Sequence, residues 1–254
     1  MAKDILRNVR IFAGATDITG ASNSIEFEGT AEIKDITNFG SVDPVTGQVW
    51  AEKLPTIEGA NVTVAGFWEA GSSSFVDDDQ WANFGGTGAW SLLPGASTEG
   101  SLAYLLNAVR ASYKLLGEVR EVAPFNAQAV STGAFARGSV LLAPGTARTA
   151  TGTGAIVQLG AVPAGRAMRA ALHVVSIAGT TPTFAAVLQS AATVGFASPT
   201  TRATFTTVNG AAGTRSAEWV ASTIGPITDA YWRISYTITG TTPSYLALAT
   251  AGIG

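Results

Sequence analysis

The sequence predicts a mainly-β protein, and three observations support this class. The first is the alternation of apolar and charged residues in SIEFEGTAEIKDITNF, at 24–39. Successive side chains of a β-strand point to opposite faces, so this spacing predicts a long strand with an apolar side on the core and an acidic side. The second is the recurrence of short β-rich runs between turn signals toward the C-terminal end. The third is that clear helix-start chemistry is confined to one short segment.

Composition sets further limits on the kind of protein. Cysteine is absent, which excludes disulfides and thiolate metal sites. The amino terminus lacks an apolar block of signal-peptide length and no apolar run reaches membrane-spanning length, so we expect neither feature. Residues 1–146 contain sixteen acids and nine bases, net −7, whereas 147–254 contain two acids and six arginines, net +4. The negative N-terminal part is a poor candidate for binding nucleic acid, because phosphate binding needs clustered Lys and Arg.

The first seventy residues predict strands joined by one long connection. VRIFAGATDIT, at 9–19, predicts a hairpin, and ANVTVAGFWE, at 60–69, predicts a second long strand after the one at 24–39. The segment at 40–59, GSVDPVTGQVWAEKLPTIEG, has two prolines and no sustained period. It predicts a long loop with an exposed ribbon, and such loops in compact domains are commonly functional. Trp50 lies in this loop, where an apolar anchor indicates a protein partner.

The best helix candidate is GSSSFVDDDQWANF, at 71–84. Ser74 is the expected cap, and the aspartates at 77–79 fall in the first turn, where carboxylates favour the positive end of the helix dipole. Three aromatic residues are expected to anchor the helix: Phe75, Trp81 and Phe84.

The next two stretches are less uniform. SLAYLLNAVRASYKLL, at 101–116, leaves helix and strand both open, because its leucines keep a helical spacing while the neighbouring segments alternate. The stretch at 117–145 is strand-like, with a tight turn expected around Thr132 and Gly133.

After residue 146 the composition shifts to Ala, Gly, Thr and Ser. TARTATGTGA, at 146–155, is expected to be a linker. Seven β-rich runs follow at even spacing, with near-identical turn signals AGTTP at 178–182 and TGTTP at 239–243. This pattern is typical of a β-sandwich. The sequence therefore divides into a first domain, 1–146, and an accessory sandwich, 147–254.

Patterns that carry chemistry are mostly missing. His173 is the only histidine, and its parity within ALHVVSI predicts a packed or half-exposed strand residue rather than a general base. The aspartates at 77–79 lack the alternating spacing of calcium loops, so the dipole interpretation is favoured. TGTG at 151–154 lacks the strand, helix and lysine of a phosphate-binding loop. We expect no catalytic residues, no cofactor and no metal.

The order of segments resembles the tail tube (major tail) proteins of long-tailed bacteriophages. The resemblance runs over about 7–145, through VRIFAGATDIT, the acidic strand, DITNFGS, the loop with WAEKL, GANVTVAGFWE and SSSFVDDDQW. The trailing part, with ALHVVSIAGTTPTF and YWRISYTITGTTPSY, is similar to the accessory sandwich that some of these proteins carry outside the tube. The resemblance implies two roughly orthogonal antiparallel sheets with one flanking helix, plus a C-terminal β-sandwich.

What the resemblance implies about function is a structural virion protein rather than an enzyme. It would be made in the host cytoplasm and assemble as stacked hexameric rings into the tail tube, an acidic-lined conduit for DNA ejection. Its partners would be copies of itself and the tail terminator, tape measure and distal tail proteins, with DNA passing unbound and no membrane involved. The alternative is a two-domain β-rich module that binds carbohydrate or a receptor.

The resemblance also assigns residues to two surfaces. The candidate lumen-lining residues are Glu26, Glu28 and Glu32. The candidate ring-stacking loop is 40–59, with these contact residues: Asp43, Val49, Trp50, Lys53 and Leu54.

Overall fold

The computed structural model describes residues 6, 8–38, 40–118, 120–210 and 214–254, without the side chain of Thr56. This part of the chain contains one α-helix, one short 3-10 helix and fourteen β-strands, which confirms the predicted mainly-β class. The strands are β1 (Arg10–Ala13), β2 (Thr16–Asp17), β3 (Ser22–Asp35), β4 (Lys53–Phe67), β5 (Thr87–Leu93), β6 (Leu102–Leu115), β7 (Pro124–Leu142), β8 (Gly152–Thr153), β9 (Val157–Gln158), β10 (Met168–Ala191), β11 (Thr200–Thr204), β12 (Val208–Asn209), β13 (Ser216–Ala221) and β14 (Tyr231–Ile253). The 3-10 helix is Thr19–Ala21 and α1 is Val76–Ala82. No helix in the described ranges is long and apolar enough to cross a membrane.

The N-terminal strands form an antiparallel sheet in the order β2-β1-β5-β6-β7-β4-β3. The predicted hairpin at 9–19 is confirmed, because β1 and β2 pair antiparallel. The segment 101–116, for which helix and strand were both open, contains strand β6. It pairs with β5 on one side and β7 on the other, so its backbone hydrogen-bonding groups have partners along both edges. Partners on both edges, rather than local spacing, decide its conformation.

Strand β7 connects the two parts of the fold. Residues 125–130 lie between β6 and β4, and 137–139 lie between β6 and β14, which also pairs with 140 and 142. The tight turn expected around Thr132 and Gly133 is therefore wrong: these residues lie inside the continuous strand, where it exchanges β4 for β14 as its neighbour. The exchange places N-terminal and C-terminal strands in one continuous hydrogen-bonded network.

Strands β10 and β14 form one antiparallel ribbon that bends back on itself. AGTTP and TGTTP were expected to be turns between separate strands, and this is wrong, because both lie within β10 and β14 and face each other across the ribbon. Gly179 and Gly240 have φ of +117° and +112° at the bend, a backbone conformation that suits glycine. The rings of Phe184 and Tyr245, from opposite sides of the bend, lie 5.0 Å apart. The bend therefore folds one face of the ribbon into a core of its own.

The expected linker at 146–155 is held on the ribbon by backbone hydrogen bonds. Arg148 exchanges two of them with Tyr245, and β8 pairs with Ser235 and Tyr236 of β14. A free linker is therefore wrong for this stretch. The division of the chain at 146/147 stays a prediction.

The half of the ribbon nearest β7 is buried on both faces. One face joins the ribbon's own core, and the other packs on the N-terminal strands through groups that include Phe12, Leu93 and Leu248. His173 lies on this second face and is fully buried, with Nδ1 2.7 Å from the carbonyl oxygen of Gly14 and Nε2 2.8 Å from Oγ of Ser91. Burial lowers the pKa of His173 to about 4, so the ring is neutral at neutral pH.

A second set of polar contacts joins α1 to strands β2 and β6 and to Arg215 in the C-terminal part of the chain. Asp79 forms a buried ion pair with Arg110, 2.9 Å between Oδ2 and Nη1, and accepts a hydrogen bond from Thr16. The hydroxyl of Thr16 in turn accepts a hydrogen bond from Arg215. Burial raises the pKa of Asp79, and the positive charge of Arg110 opposes that shift. The third aspartate of the expected dipole cluster is thus a buried structural residue.

The ends of α1 differ from the expectation. Its N-cap is Phe75 with no side-chain cap, so the prediction of Ser74 is wrong. The expected anchoring by three aromatic residues is also wrong, since Phe75 is 39%, Trp81 72% and Phe84 55% exposed. The helix instead packs through Val76 and the buried polar residues around Asp79.

Candidate assembly surfaces

A two-stranded arm projects from the sheet. Strands β3 and β4 pair along their whole length, but β4 pairs with β7 only through 61–67. Residues 30–58 therefore have no third strand, and every described side chain among them is exposed except Ser41 and Asp43. We call residues 30–58 the arm.

Two of the expected lumen residues lie on β3 at the base of the arm, where the strand joins the sheet. Glu26 and Glu28 are exposed on one face of β3, opposite Thr63 and Asn61 of β4. On the other face, Ile25 and Phe27 pack against the N-terminal core. The alternation in the sequence therefore places two carboxylates side by side on a polar sheet face.

Further along β3, the alternation of apolar and charged residues no longer separates buried from exposed side chains. Glu32 lies in the arm opposite Ile57, beyond the part of β3 that has a core behind it. The alternation predicts that the whole apolar side of the strand lies on the core, and this is wrong at Ile33, which is 60% exposed. The structure therefore groups Glu26 with Glu28 and separates Glu32 from them.

The expected stacking loop forms a tight turn at the tip of the arm. Oδ1 of Asp43 accepts backbone hydrogen bonds from Val45 and Thr46, and these bonds lower the pKa of its carboxyl. Val42 and Val49 pair across the turn, and the N–H of Trp50 donates to the carbonyl of Ser41 at 3.2 Å. Asp43 and Val49 thus shape the turn, while the Trp50 side chain is left 61% exposed.

Below the tip, Lys53 and Leu54 lie in the paired part of the arm. Lys53 Nζ forms an exposed ion pair with Asp35, 2.6 Å from Oδ2. Leu54 is 49% exposed and faces Lys34. The arm carries eight large apolar residues that are exposed: Ile33, Ile36, Val42, Val45, Val49, Trp50, Leu54 and Ile57.

The outer edge of β3 is a second candidate surface. Within the described part of the chain, β3 pairs with β4 alone. Fourteen residues of edge strand therefore present backbone groups that can pair with another chain.

A third surface escaped the sequence analysis. It comprises α1 with its flanking residues and the strand ends beside it, where the N–H of Trp68 donates to Ala123 and the N–H of Asp77 donates to Glu69. We call it the aromatic end, and its exposed members are Phe67, Trp68, Phe75, Trp81, Phe84, Leu116 and Val122. The available signal was the density of aromatic residues at 67–84, three of which were expected to anchor the helix.

Catalytic geometry is not apparent around the single histidine. His173 is fully buried between strands, and its contacts are one carbonyl, one hydroxyl and the ring of Phe12. Among the described residues, no group of three or more His, Cys, Asp or Glu side chains is placed to hold a metal ion.

Comparisons with known proteins give distant similarities only. No protein family model matches the chain, and no curated protein matches it. The tail of an empty gene transfer agent particle, refined with C6 symmetry, is 15% identical over 45% of this chain and 80% of that chain, with a TM-score of 0.36. A chain from the virion of a native gene transfer agent particle is 16% identical over 46% of this chain and 84% of that chain, also with a TM-score of 0.36.

A third solved structure matches over a greater length. The Dit protein of phage SPP1, described as a hub of the adsorption apparatus in phages that infect Gram-positive bacteria, is 12% identical. The match covers 98% of this chain and 100% of that chain, with a TM-score of 0.29. At these TM-scores the similarities do not assign a function to this chain.

Proposed function

We propose that this chain is a structural virion protein that assembles into hexameric rings, which stack into the tail tube of a long-tailed phage. The tube is a conduit for DNA, and the chain has no enzymatic role. Other copies of the chain are its main partners, and the tail terminator, tape measure and distal tail proteins complete the tail.

The observation that carries this proposal is the arm. Eight large apolar side chains are exposed on a projecting ribbon that none of the described residues of its own chain covers. Monomeric soluble proteins rarely expose such an area, because it is costly in water and promotes association. The arm is suited to contact another subunit, as the expected stacking loop would.

Two further features support rings around a negative bore. The open edge of β3 can pair with a strand of a neighbouring copy, and pairing around a closed ring leaves no free edge. Glu26 and Glu28 lie on the polar face of the same strand. Repeated around a ring, they would repel DNA phosphates and allow the polyanion to pass without binding.

Electron microscopy tests the assembly directly. Purified protein at high concentration and neutral pH should form rings and stacked tubes in negative stain, with six-fold end views. A strictly monomeric protein at all concentrations would overturn the proposal. Binding of that monomer to a glycan array would favour the carbohydrate-binding alternative.

A charge reversal tests the bore. Glu26→Lys combined with Glu28→Lys should leave assembly intact, because both side chains are exposed, and should make tubes retain linear double-stranded DNA. The retention should weaken steeply with added salt, as expected for phosphate contacts. The control, Val194→Lys with Ile224→Lys, adds two lysines at exposed positions outside β3, the arm and the aromatic end. If only the control retains DNA, a different surface lines the channel.

A further inference from the structure

We infer that the aromatic end of one copy receives the arm of the next copy, so that each subunit is both donor and acceptor along the stack. This inference rests on the proposed function and specifies the surface on which the arm docks. It assigns a role to the aromatic residues around α1, which the proposed function leaves without one.

The first argument is the position of the two surfaces. The arm leaves the sheet just before Asn61, where β4 begins to pair with β7, and the aromatic end includes Phe67 and Trp68 at the other end of that strand. Nine residue steps of strand, from Glu58 to Phe67, separate the two surfaces by about 30 Å. Surfaces at opposite ends of one rigid strand can meet between copies that are related by translation along that strand.

The second argument is the matching area. The arm exposes eight large apolar side chains and the aromatic end seven, at 39% to 90% exposure. Each set presents on the order of several hundred Å² of apolar surface, the size at which exposed patches mark interaction sites. A standard protein interface buries about 800 Å² per partner, so one surface is the right size to cover the other.

The third argument is the symmetry of the contact. If arms paired with arms, the contact would be self-complementary and would close after two copies, leaving the aromatic end exposed. Contact between two different surfaces is heterologous and repeats without closing, which is what an extended stack requires. Pairing the arm with the aromatic end covers both apolar surfaces at once.

Cysteine cross-linking tests the contact, because the chain contains no native cysteine. Val45 at the arm tip is 90% exposed and Val122 at the aromatic end is 66% exposed. The double variant Val45→Cys, Val122→Cys should give a ladder of covalent multimers after mild oxidation of assembled protein. Val45→Cys alone should give no covalent dimer, and an efficient dimer would overturn the inference in favour of arm-to-arm contact. Val45→Cys with Val194→Cys, 62% exposed in the C-terminal part, is the control and should give no ladder.

A mixing experiment tests the direction of the contact. The arm variant is Val45→Ser, Trp50→Ser, and the end variant is Leu116→Ser, Val122→Ser. Each variant alone should form single rings, since one of its two stacking surfaces is impaired. An equal mixture should form two-ring stacks that do not extend, because only one intact arm surface meets one intact aromatic end.

The outcomes separate this inference from the proposed function. A control variant, Val194→Ser, Ile224→Ser, changes two exposed residues outside both surfaces and should form tubes as the native chain does. Tubes of native length from the end variant, or a mixture that yields only single rings, would overturn the inference while leaving ring formation established. Failure of the native chain to form rings would instead overturn the proposed function.

Discussion

Two long ribbons of this chain occupy opposite environments. The β3–β4 ribbon, of 14 and 15 residues, projects as an arm with both faces exposed beyond its base. The β10–β14 ribbon, of 24 and 23 residues, bends at Gly179 and Gly240 and covers its own face. Both are regular antiparallel pairs, so pairing alone does not determine burial. Within the described residues, the β10–β14 ribbon has a second layer against it and the arm has none, and this difference decides which of the two is buried.

The largest expected effect is on folding stability, and it should differ between a tryptophan of the β10–β14 ribbon and a tryptophan of the arm. Trp232 in β14 is fully buried and donates its indole N–H to Gly160, so Trp232→Ala should lower the free energy of unfolding by about 3–5 kcal/mol. Trp50 in the arm is 61% exposed, so Trp50→Ala should change the free energy of unfolding by less than about 0.5 kcal/mol. The same substitution should shorten the tubes. Denaturant unfolding at low protein concentration measures the first quantity and electron microscopy the second. Equal losses of folding stability would show that the arm packs within its own subunit.

The next effect concerns the bend that distinguishes the two ribbons. A Cβ at Gly240 would lie 2.8 Å from Cα of Pro182, and its φ of +112° is strained for any other residue. Gly240→Ala should therefore lower the free energy of unfolding by about 2–3 kcal/mol. Gly133→Ala is the matched control, because no atom lies within 4 Å of the added carbon. A variant as stable as the control would mean that the bend tolerates ordinary backbone geometry.

Acid should weaken the contact between the bent ribbon and the N-terminal strands. His173 has a folded pKa of about 4, below its ordinary value of 6.5, because burial disfavours the charged ring. Between these values the unfolded chain binds a proton that the folded chain does not, so stability falls as the pH falls. The expected loss between pH 7 and pH 5 is about 2 kcal/mol, measured by denaturant unfolding at each pH.

A variant isolates the histidine from other titrating groups. His173→Gln keeps a polar side chain but removes the proton equilibrium, so its stability should depend less on pH over the same interval. An unchanged slope would assign the acid sensitivity to other residues.

The smallest effect is expected on the arm. The Asp35–Lys53 ion pair bridges β3 and β4 in full contact with water, where such pairs contribute little. Lys53→Met should leave the melting temperature of the unassembled chain unchanged within error in a calorimetric scan. A clear decrease would mean that the arm contributes to folding of its own subunit.

Several elements could be predicted because their signals are local. The hairpin at 9–19, the strand that begins near Ser24 and the short helix all follow from spacing and turn chemistry within a few residues. The exposed tip around Asp43 could also be predicted, because apolar residues in its loop do not recur at the spacing of a helix or a strand. Glu26 and Glu28 share a face because strand side chains alternate.

Other features depend on partners far away in sequence. The segment 101–116 had a helical spacing but became β6 because β5 and β7 flank it. AGTTP and TGTTP had turn composition, yet they face each other within one ribbon and make its bend. Neither outcome follows from the segments alone, because each depends on which strand pairs with them.

The sequence by itself determined that this is a β-rich chain whose long acidic strand has two unlike faces. Tertiary structure decided which parts of those faces are covered: Ile25 packs on a core, whereas Ile33, eight residues along the same strand, is exposed in the arm. The physical reason is that alternation is a property of one strand, while burial requires a second surface. That surface comes from distant residues of the same chain at the base of the ribbon, and in our proposal from the next subunit at its tip.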